Sequence, residues 1–397
     1  MQLELKQPIN KQIIAQRKWY LKHPNYINRV SKRGQPYLHL IVSEIEKRGL
    51  PLELALLPIV ESAFDPFAYS HGRASGMWQI IPGTGTRFGL AQNWWYDGRR
   101  DVYASTNAAL DYLEYLHKYF KGDWLHAIAA YNSGEGRVGR AIKKNRKAGK
   151  PTNFWSLKLP KETKDYVPRL LALAQILKDP QQFDITWPNI ANEAKLILVD
   201  TKSQIDLAFA AKLADMELNE LHRLNPGFNR WATDPNGSHQ LLLPLDKAGQ
   251  FSTALSKTKA SDRVSWVRYK IKNGDNLGVI AKRHQTTVAV IQDVNDINSS
   301  SIRAGKFLLI PVSTKDLSAY KLSAQSRLAK KQSQPRKGSK RTHIVKSGDN
   351  FWDIGRKYQV NHKSIAKWNG MAPKDTLRLG QKLVIWTKLA GAKTSGN

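Results

Sequence analysis

The chain has 397 residues, 63 Lys and Arg against 32 Asp and Glu, a formal net charge of +31, and no cysteine. That length is too great for one ordinary domain, and a 41% apolar content lets each of several domains bury a core. The missing cysteines exclude disulfides, thiolate nucleophiles, thiolate-bound zinc and a lipid-modified cysteine, while the charge calls for a polyanionic neighbour such as nucleic acid, anionic lipid or an anionic wall polymer.

Nothing at the start resembles an export signal. The opening MQLELKQPIN lacks an apolar core, and no run approaches the ~18 apolar residues of a membrane span.

Residues to about 185 read as helical, with a helical extension over 1–35 and a domain over 36–185. Apolar residues recur three and four apart in Tyr37, Leu40, Ile41 and Ile45, in Leu110, Leu113, Leu116 and Phe120, and in Val167, Leu170, Leu171, Ala174 and Leu177. Within this half, Leu52 to Val60 predicts a buried helix opened by Pro51 and bent by Pro58 just before Glu61. Glu61 has Ile59, Val60, Ser62, Ala63 and Phe64 as neighbours and no cation beside it. Loss of water, the negative helix end and the missing cation all raise a carboxyl pKa, and a carboxyl protonated near neutrality is a general acid. A buried structural acid fits the same local pattern.

The C-terminal half repeats itself. Tyr269-Lys-Ile-Lys-Asn-Gly-Asp-Asn-Leu277 aligns with His343-Ile-Val-Lys-Ser-Gly-Asp-Asn-Phe351, and the same offset pairs Asn295 with Asn369. Both units, 267–312 and 342–387, read as compact βααβ modules. A fainter copy over 195–246 matches at Leu207, Leu224-Asn225 and Leu241-Leu-Leu-Pro244 but lacks the Gly-Asp turn. Between the second and third units, 313–341 is rich in Lys and Arg with Asp316 as its single acid, and predicts a flexible basic linker.

Four motifs follow one another in the N-terminal half: Glu61-Ser62, Gly76-Met77-Trp78-Gln79, Ala130-Tyr131-Asn132 and Glu162-Thr163-Lys164-Asp165-Tyr166-Val167, with Ser70 between the first two. In order and content they resemble the lysozyme-like domain of family 1 lytic transglycosylases, over roughly Tyr37 to Leu177. The repeats resemble LysM modules, which bind N-acetylglucosamine-containing glycans. The implied fold class is multidomain: an all-α lysozyme-like catalytic domain followed by small α+β LysM modules. One departure is Trp78, which stands third in a motif that ordinarily reads GLMQ.

By that resemblance Glu61 is the single catalytic acid/base. Ser62 shapes its turn, Ser70 and Gln79 bind the sugar, Tyr131 orients the glutamate, Asn132 lines the subsite and Tyr166 stands across the cleft. The modules would hold glycan through Gly274, Asp275, Asn276 and Asn295, and through Gly348, Asp349, Asn350 and Asn369. The implied reaction cleaves peptidoglycan with closure of a 1,6-anhydro ring on N-acetylmuramic acid. Two rivals are a hydrolytic muramidase using a second acid such as Asp97 or Asp101, and an inactive peptidoglycan-binding scaffold.

Asp65-Pro66 reads as a structural turn. Trp78, Trp94, Trp95, Tyr96, Tyr103 and Tyr131 offer flat faces for sugars, although aromatics at helical spacing also build cores. The histidines show no metal-ligand spacing, so no metal and no cofactor is expected. The expected partners are peptidoglycan strands and other anionic envelope polymers. Nucleic acid is not expected, because the charge lacks an accompanying readout motif. A monomer in the periplasmic envelope, with outer-membrane association implied by the family, completes the expectation.

Overall fold

The computed structural model describes residues 5, 10–185, 187 and 190–387. Most of the opening MQLELKQPIN lies outside the described residues. The chain divides into two compact units. The first comprises the chain up to Ala68, Ser75–Ala91 and Gly98–Leu196, and the second comprises Tyr69–Ala74, Gln92–Asp97 and the chain from Ile197.

Unit 1 is helical. Its elements are α1 (Lys11–Leu21), α2 (Pro24–Gly34), α3 (Leu38–Lys47), α4 (Leu57–Ser62), α5 (Pro82–Arg87), α6 (Val102–Tyr119), α7 (Trp124–Ser133), α8 (Glu135–Lys147) and α9 (Lys161–Lys178). Helix α9 is buried nearly all round through Val167, Leu170, Leu171, Leu173 and Ile176, which marks it as the core helix. Helices α6 and α7 start at Asp101 and Asp123, whose carboxylates accept from the Ala104 and His126 N–H groups as N-caps. The N-terminal extension is part of this core. Helix α1 lies on α9, with Ile13 and Tyr20 buried and Arg17 Nη1 donating to Gln175 Oε1 at 2.9 Å.

Unit 2 carries three βααβ modules. Module one is β1 (Leu196–Asp200), α10 (Leu207–Leu213), α11 (Leu218–Leu224) and β2 (Gln240–Pro244), followed by α12 (Leu245–Ser256). Module two is β3 (Ser265–Lys270), α13 (Leu277–Arg283), α14 (Val288–Val294) and β4 (Phe307–Val312). After α15 (Ala324–Ser333), module three is β5 (Ser339–Ile344), α16 (Phe351–Lys357), α17 (His362–Trp368) and β6 (Lys382–Thr387).

Each strand pair forms a two-stranded sheet. In module two Ser265 faces Val312 and Lys270 faces Phe307, antiparallel; in module three Ser339 faces Thr387 and Ile344 faces Lys382. The small cores are equivalent, with Leu277, Ile280, Ile291, Leu308 and Ile310 in one and Phe351, Ile354, Ile365, Leu383 and Ile385 in the other.

The linker expectation over 313–341 requires correction. That stretch holds a 3-10 turn at Leu317–Ala319, helix α15 and the start of β5, and Tyr320 within it is 1% exposed. Counting charge missed one aromatic anchor, whose burial outweighs the solvation of the surrounding cations.

Candidate active site

The segment leading to Glu61 differs from a single bent helix. Leu52–Leu56 is a 3-10 turn behind Pro51, and Pro58 falls in the first turn of the separate helix α4, where its missing N–H breaks no bond. Helix α4 ends abruptly. Ala63 and Phe64 both adopt φ of 54°, and their N–H groups bond back to Ile59 O at 3.2 Å and Pro58 O at 3.1 Å. Two successive non-glycine residues in the left-handed region carry strain. Burial of Phe64 holds them there: its ring lies so close to Gly34 that a Cβ at that position would sit 2.7 Å from it.

This stop leaves Glu61 in the last turn of α4, only partly buried. Ser62 fixes the turn. Its Oγ donates to Met77 O at 2.9 Å and accepts from the Asp65 N–H at 3.2 Å. Asp65 in turn accepts from the Phe67 N–H at 3.0 Å, which gives it a turn-forming job.

Met77 belongs to a tight turn closed by paired bonds between Ser75 and Ile80 at 3.1 and 3.2 Å. Gly76 has φ of +79° and its Cα faces the Arg99 carbonyl so closely that any Cβ would overlap it. Gln79, at φ of +49°, donates from Nε2 to Gly76 O at 2.8 Å. Trp78 is fully buried, with Nε1 donating to Thr106 Oγ1 at 3.0 Å. Its place in the motif is therefore a core position rather than a sugar platform.

The side chain that bonds Glu61 is Tyr166 and not Tyr131. Tyr166 Oη donates to Glu61 Oε1 at 2.5 Å, whereas Tyr131 Oη donates to Trp78 O at 2.8 Å. The orienting partner thus comes from α9, and Tyr131 instead braces the Gly76–Gln79 turn. Burial and the Glu61 charge both push the Tyr131 and Tyr166 hydroxyls well above their ordinary pKa, so both remain protonated donors. Asn132 is tied to α9 through its Oδ1, which accepts from Thr163 Oγ1 at 2.9 Å.

Burial raises the Glu61 pKa to about 7, opposed by the Tyr166 hydrogen bond and helped by the Glu162 charge. Glu162 received no role from sequence reasoning. The available signal was its position four residues before Tyr166, which places both on one face of α9. Asp101 is used as the α6 N-cap, and Ser70 Oγ accepts from the Gly72 and Ala74 N–H groups within its own loop.

Of the aromatics weighed as sugar platforms, Trp95 and Tyr96 join Trp231 and Phe228 in the unit 2 core. Trp94 is partly buried beneath the Arg230 guanidinium, 3.9 Å from its ring centroid. Tyr103 and Tyr131 are partly buried in unit 1.

The module residues are occupied locally. Gly274 and Gly348 take φ of +81° and +84° in the turns. Asp275 accepts from the Lys272 N–H and Tyr269 Oη, both at 2.8 Å, and Asp349 bonds the Lys346 N–H and the His343 ring. Asn276 and Asn350 cap the following helices.

Asn295 and Asn369 call for a correction. Asn295 Nδ2 donates to Ile291 O and Leu309 O while its Oδ1 accepts from the Leu309 N–H. Asn369 repeats this with Ile365 and Val384, and Asn225 of module one with Leu221 and Leu242. These amides splice the second helix of each module to its closing strand, so both amide hydrogens are engaged internally. The threefold recurrence also ties the faint first repeat to the other two. Among the described residues no cluster of His, Asp or Glu could hold a metal, and no helix is long and apolar enough to cross a membrane.

Comparison with known proteins agrees with this architecture. The Transglycosylase SLT domain profile matches residues 40–154, the LysM-like domain of lytic transglycosylase MltD matches 195–260, and the LysM domain matches 269–311 and 343–386. The membrane-bound lytic murein transglycosylase D of Escherichia coli (strain K12) is 37% identical over 403 residues, covering 98% of this chain and 84% of that protein. A putative tributyltin chloride resistance protein of Alteromonas sp. (strain M-1) is 46% identical over 169 residues, 43% of this chain and 80% of that one. Among solved structures, the lytic transglycosylase Slt of Pseudomonas aeruginosa, an inactive mutant, is 23% identical over 37% of this chain and 24% of its own, with a TM-score of 0.28. At that score the structural likeness adds nothing, and the assignment rests on the sequence match across the whole chain. The chain belongs to the family of membrane-bound lytic murein transglycosylase D.

Proposed function

We propose that Glu61 is the single acid/base of a non-hydrolytic cleavage of peptidoglycan between N-acetylmuramic acid and N-acetylglucosamine. The observation that carries this reading is a carboxyl raised to about 7 and held by a short bond from a tyrosine that stays protonated. Such a group keeps a proton near neutrality, gives it to the bridging oxygen, and is then a carboxylate able to take one back.

As the C1–oxygen bond breaks, the leaving N-acetylglucosamine takes the Glu61 proton and C1 becomes electron-deficient. The substrate's own N-acetyl group stabilises that centre. Glu61 then removes the proton from the C6 hydroxyl, whose oxygen closes on C1 to give the 1,6-anhydro ring. No water is consumed, and an intramolecular nucleophile has a high effective concentration. A second carboxylate, needed by most glycosidases, has no role in this sequence of steps.

Sugar contacts follow from polar groups that the fold leaves free. The Asn132 amide nitrogen and Gln79 Oε1 have no protein partner among the described residues, since each side chain is tied only through its other end. They serve as donor and acceptor to the glycan, with Tyr131 and Ser62 shaping the surrounding backbone. In modules two and three the backbone of the turns Gly274–Asn276 and Gly348–Asn350 edges the glycan grooves, the side chains setting its conformation. Weak modules joined in one chain bind through effective concentration.

A net charge of +31 suits a chain acting singly among peptidoglycan and other anionic polymers of the envelope. Release of soluble fragments from purified peptidoglycan tests the reading. Release by the chain and none by Glu61→Gln supports it, and equal release by both contradicts it.

A further inference from the structure

Module one is built to the same plan as the other two but uses its loops differently. The loop between β1 and α10 ends at Asp206, which stands where Asn276 and Asn350 cap the equivalent helices. Among the described residues those asparagine side chains bond only within their own module. Asp206 is fully buried and takes four donors: the Ala208 and Phe209 N–H groups of its own helix, then the Thr314 N–H at 2.9 Å and Tyr320 Oη at 2.8 and 2.9 Å. An aspartate can do this where an asparagine cannot, because both its oxygens accept.

The other loop, between α11 and β2, is taken as well. Asn229 O accepts from the Ala324 N–H at 2.8 Å, and its N–H donates to Trp95 O at 2.7 Å. The strap from Thr314 to Ala324, which leaves β4 of module two, therefore runs from the first loop of module one to the second. Tyr320 is its anchor, packed into the module one core with Trp231 and Phe228.

We infer that module one is a receptor for a segment of its own chain, the strap Thr314 to Ala324, and not a glycan-binding module. Its first loop corresponds to the turns that edge the grooves of modules two and three, so the strap sits where sugar would lie, and glycan binding, on the reading proposed above, falls to modules two and three alone. Gln204-Ile205 stands where the Gly-Asp turn is lost, with Ile205 buried in the same core as Tyr320 and its N–H held by Thr233 Oγ1 at 3.0 Å. A consequence is that modules one and two form one body, since the strap is the direct continuation of β4.

Hydrogen exchange of the full chain, read at the Thr314 and Ala324 amides, tests this. Both should be protected, and Tyr320→Phe and Asp206→Asn should each speed exchange at Thr314 and Ala324 by roughly 10- to 100-fold, the usual weight of a hydrogen bond to a charged partner. Free exchange in the unaltered chain, or no change in either variant, overturns the proposal. Asp206→Asn is the milder variant because it keeps the helix cap.

The same measurement with an N-acetylglucosamine pentamer distinguishes this inference from the glycan reading. New protection in the 272–277 and 346–351 loops, with none in 201–206 or 225–239, supports the inference. Protection in the module one loops overturns it. Silence in all three modules with protected strap amides leaves the strap standing and contradicts the glycan reading instead.

Discussion

Tyr166 Oη donates to Glu61 Oε1 at 2.5 Å, joining the last turn of α4 to the core helix α9. This bond favours the charged carboxylate and so works against the burial that raises its pKa. Tyr166→Phe removes the donor and keeps the ring. The Glu61 pKa should then rise above about 7, moving the alkaline limb of kcat/KM to higher pH, while lost orientation lowers kcat about 10- to 100-fold. A pH–rate profile of the variant reads both effects, and an unmoved alkaline limb would show that the bond is absent in solution.

The Glu162 charge raises the Glu61 pKa in the opposite sense, from the same face of α9. In the unaltered chain the protonated fraction of Glu61 is nearly complete at pH 5 and falls about tenfold per pH unit above 7. Neutralising the neighbour by Glu162→Gln should lower the Glu61 pKa and shift that limb down by a few tenths of a pH unit. The expected effect is small because Glu162 is exposed and screened.

Stability and activity conflict at Glu61. Its pKa is about 7 folded against an ordinary 4.5, so between these values the unfolded chain releases a proton that the folded chain retains. Stability therefore falls as pH rises from 4.5 to 7 and is level above, by about 3 kcal/mol for a pKa separation of this size. Glu61→Gln abolishes this term. At pH 8 the variant should be about 2–3 kcal/mol more stable than the unaltered protein by urea denaturation of the helical signal, and at pH 4 the two should coincide.

Asn369 carries a structural prediction. It is 2% exposed and bonds the Ile365 carbonyl and both backbone groups of Val384. Asn369→Ala strands those groups in the module three core and should destabilise the module by about 2–4 kcal/mol. Asn295→Ala, in a more exposed setting, should do less damage. Thermal unfolding followed at Trp386, on β6, reads the first effect, and an unchanged transition would mean that the amide serves the ligand and not the fold.

Much of this was legible in the sequence because the signals were periodic. Three-and-four spacing gave the helices of unit 1, and the recurring Gly-Asp-Asn triplets gave the modules. Glu61 stood out because no cation neighboured it. Other features lacked a local signal. Pro58 is as compatible with a helix start as with a helix break, so the division at Leu57 could not be read. Asn295 and Asn369 look like loop residues until their strand partners, 14 and 15 positions away, come alongside. The strap was hidden by the lysines and arginines of the stretch in which it lies, 313–341, since Tyr320 finds its partner 114 residues earlier. Which of two tyrosines reaches Glu61 depends on how α9 crosses α4, a tertiary fact that no motif encodes.

The measurement that bears most directly on Glu61 as a lone acid/base is mass spectrometry of fragments released from purified peptidoglycan in water enriched in oxygen-18. The account predicts fragments ending in 1,6-anhydromuramic acid, free of the heavy isotope, and no release by Glu61→Gln. Reducing ends carrying one heavy oxygen would contradict it, because they would make water the nucleophile and require a second activating group.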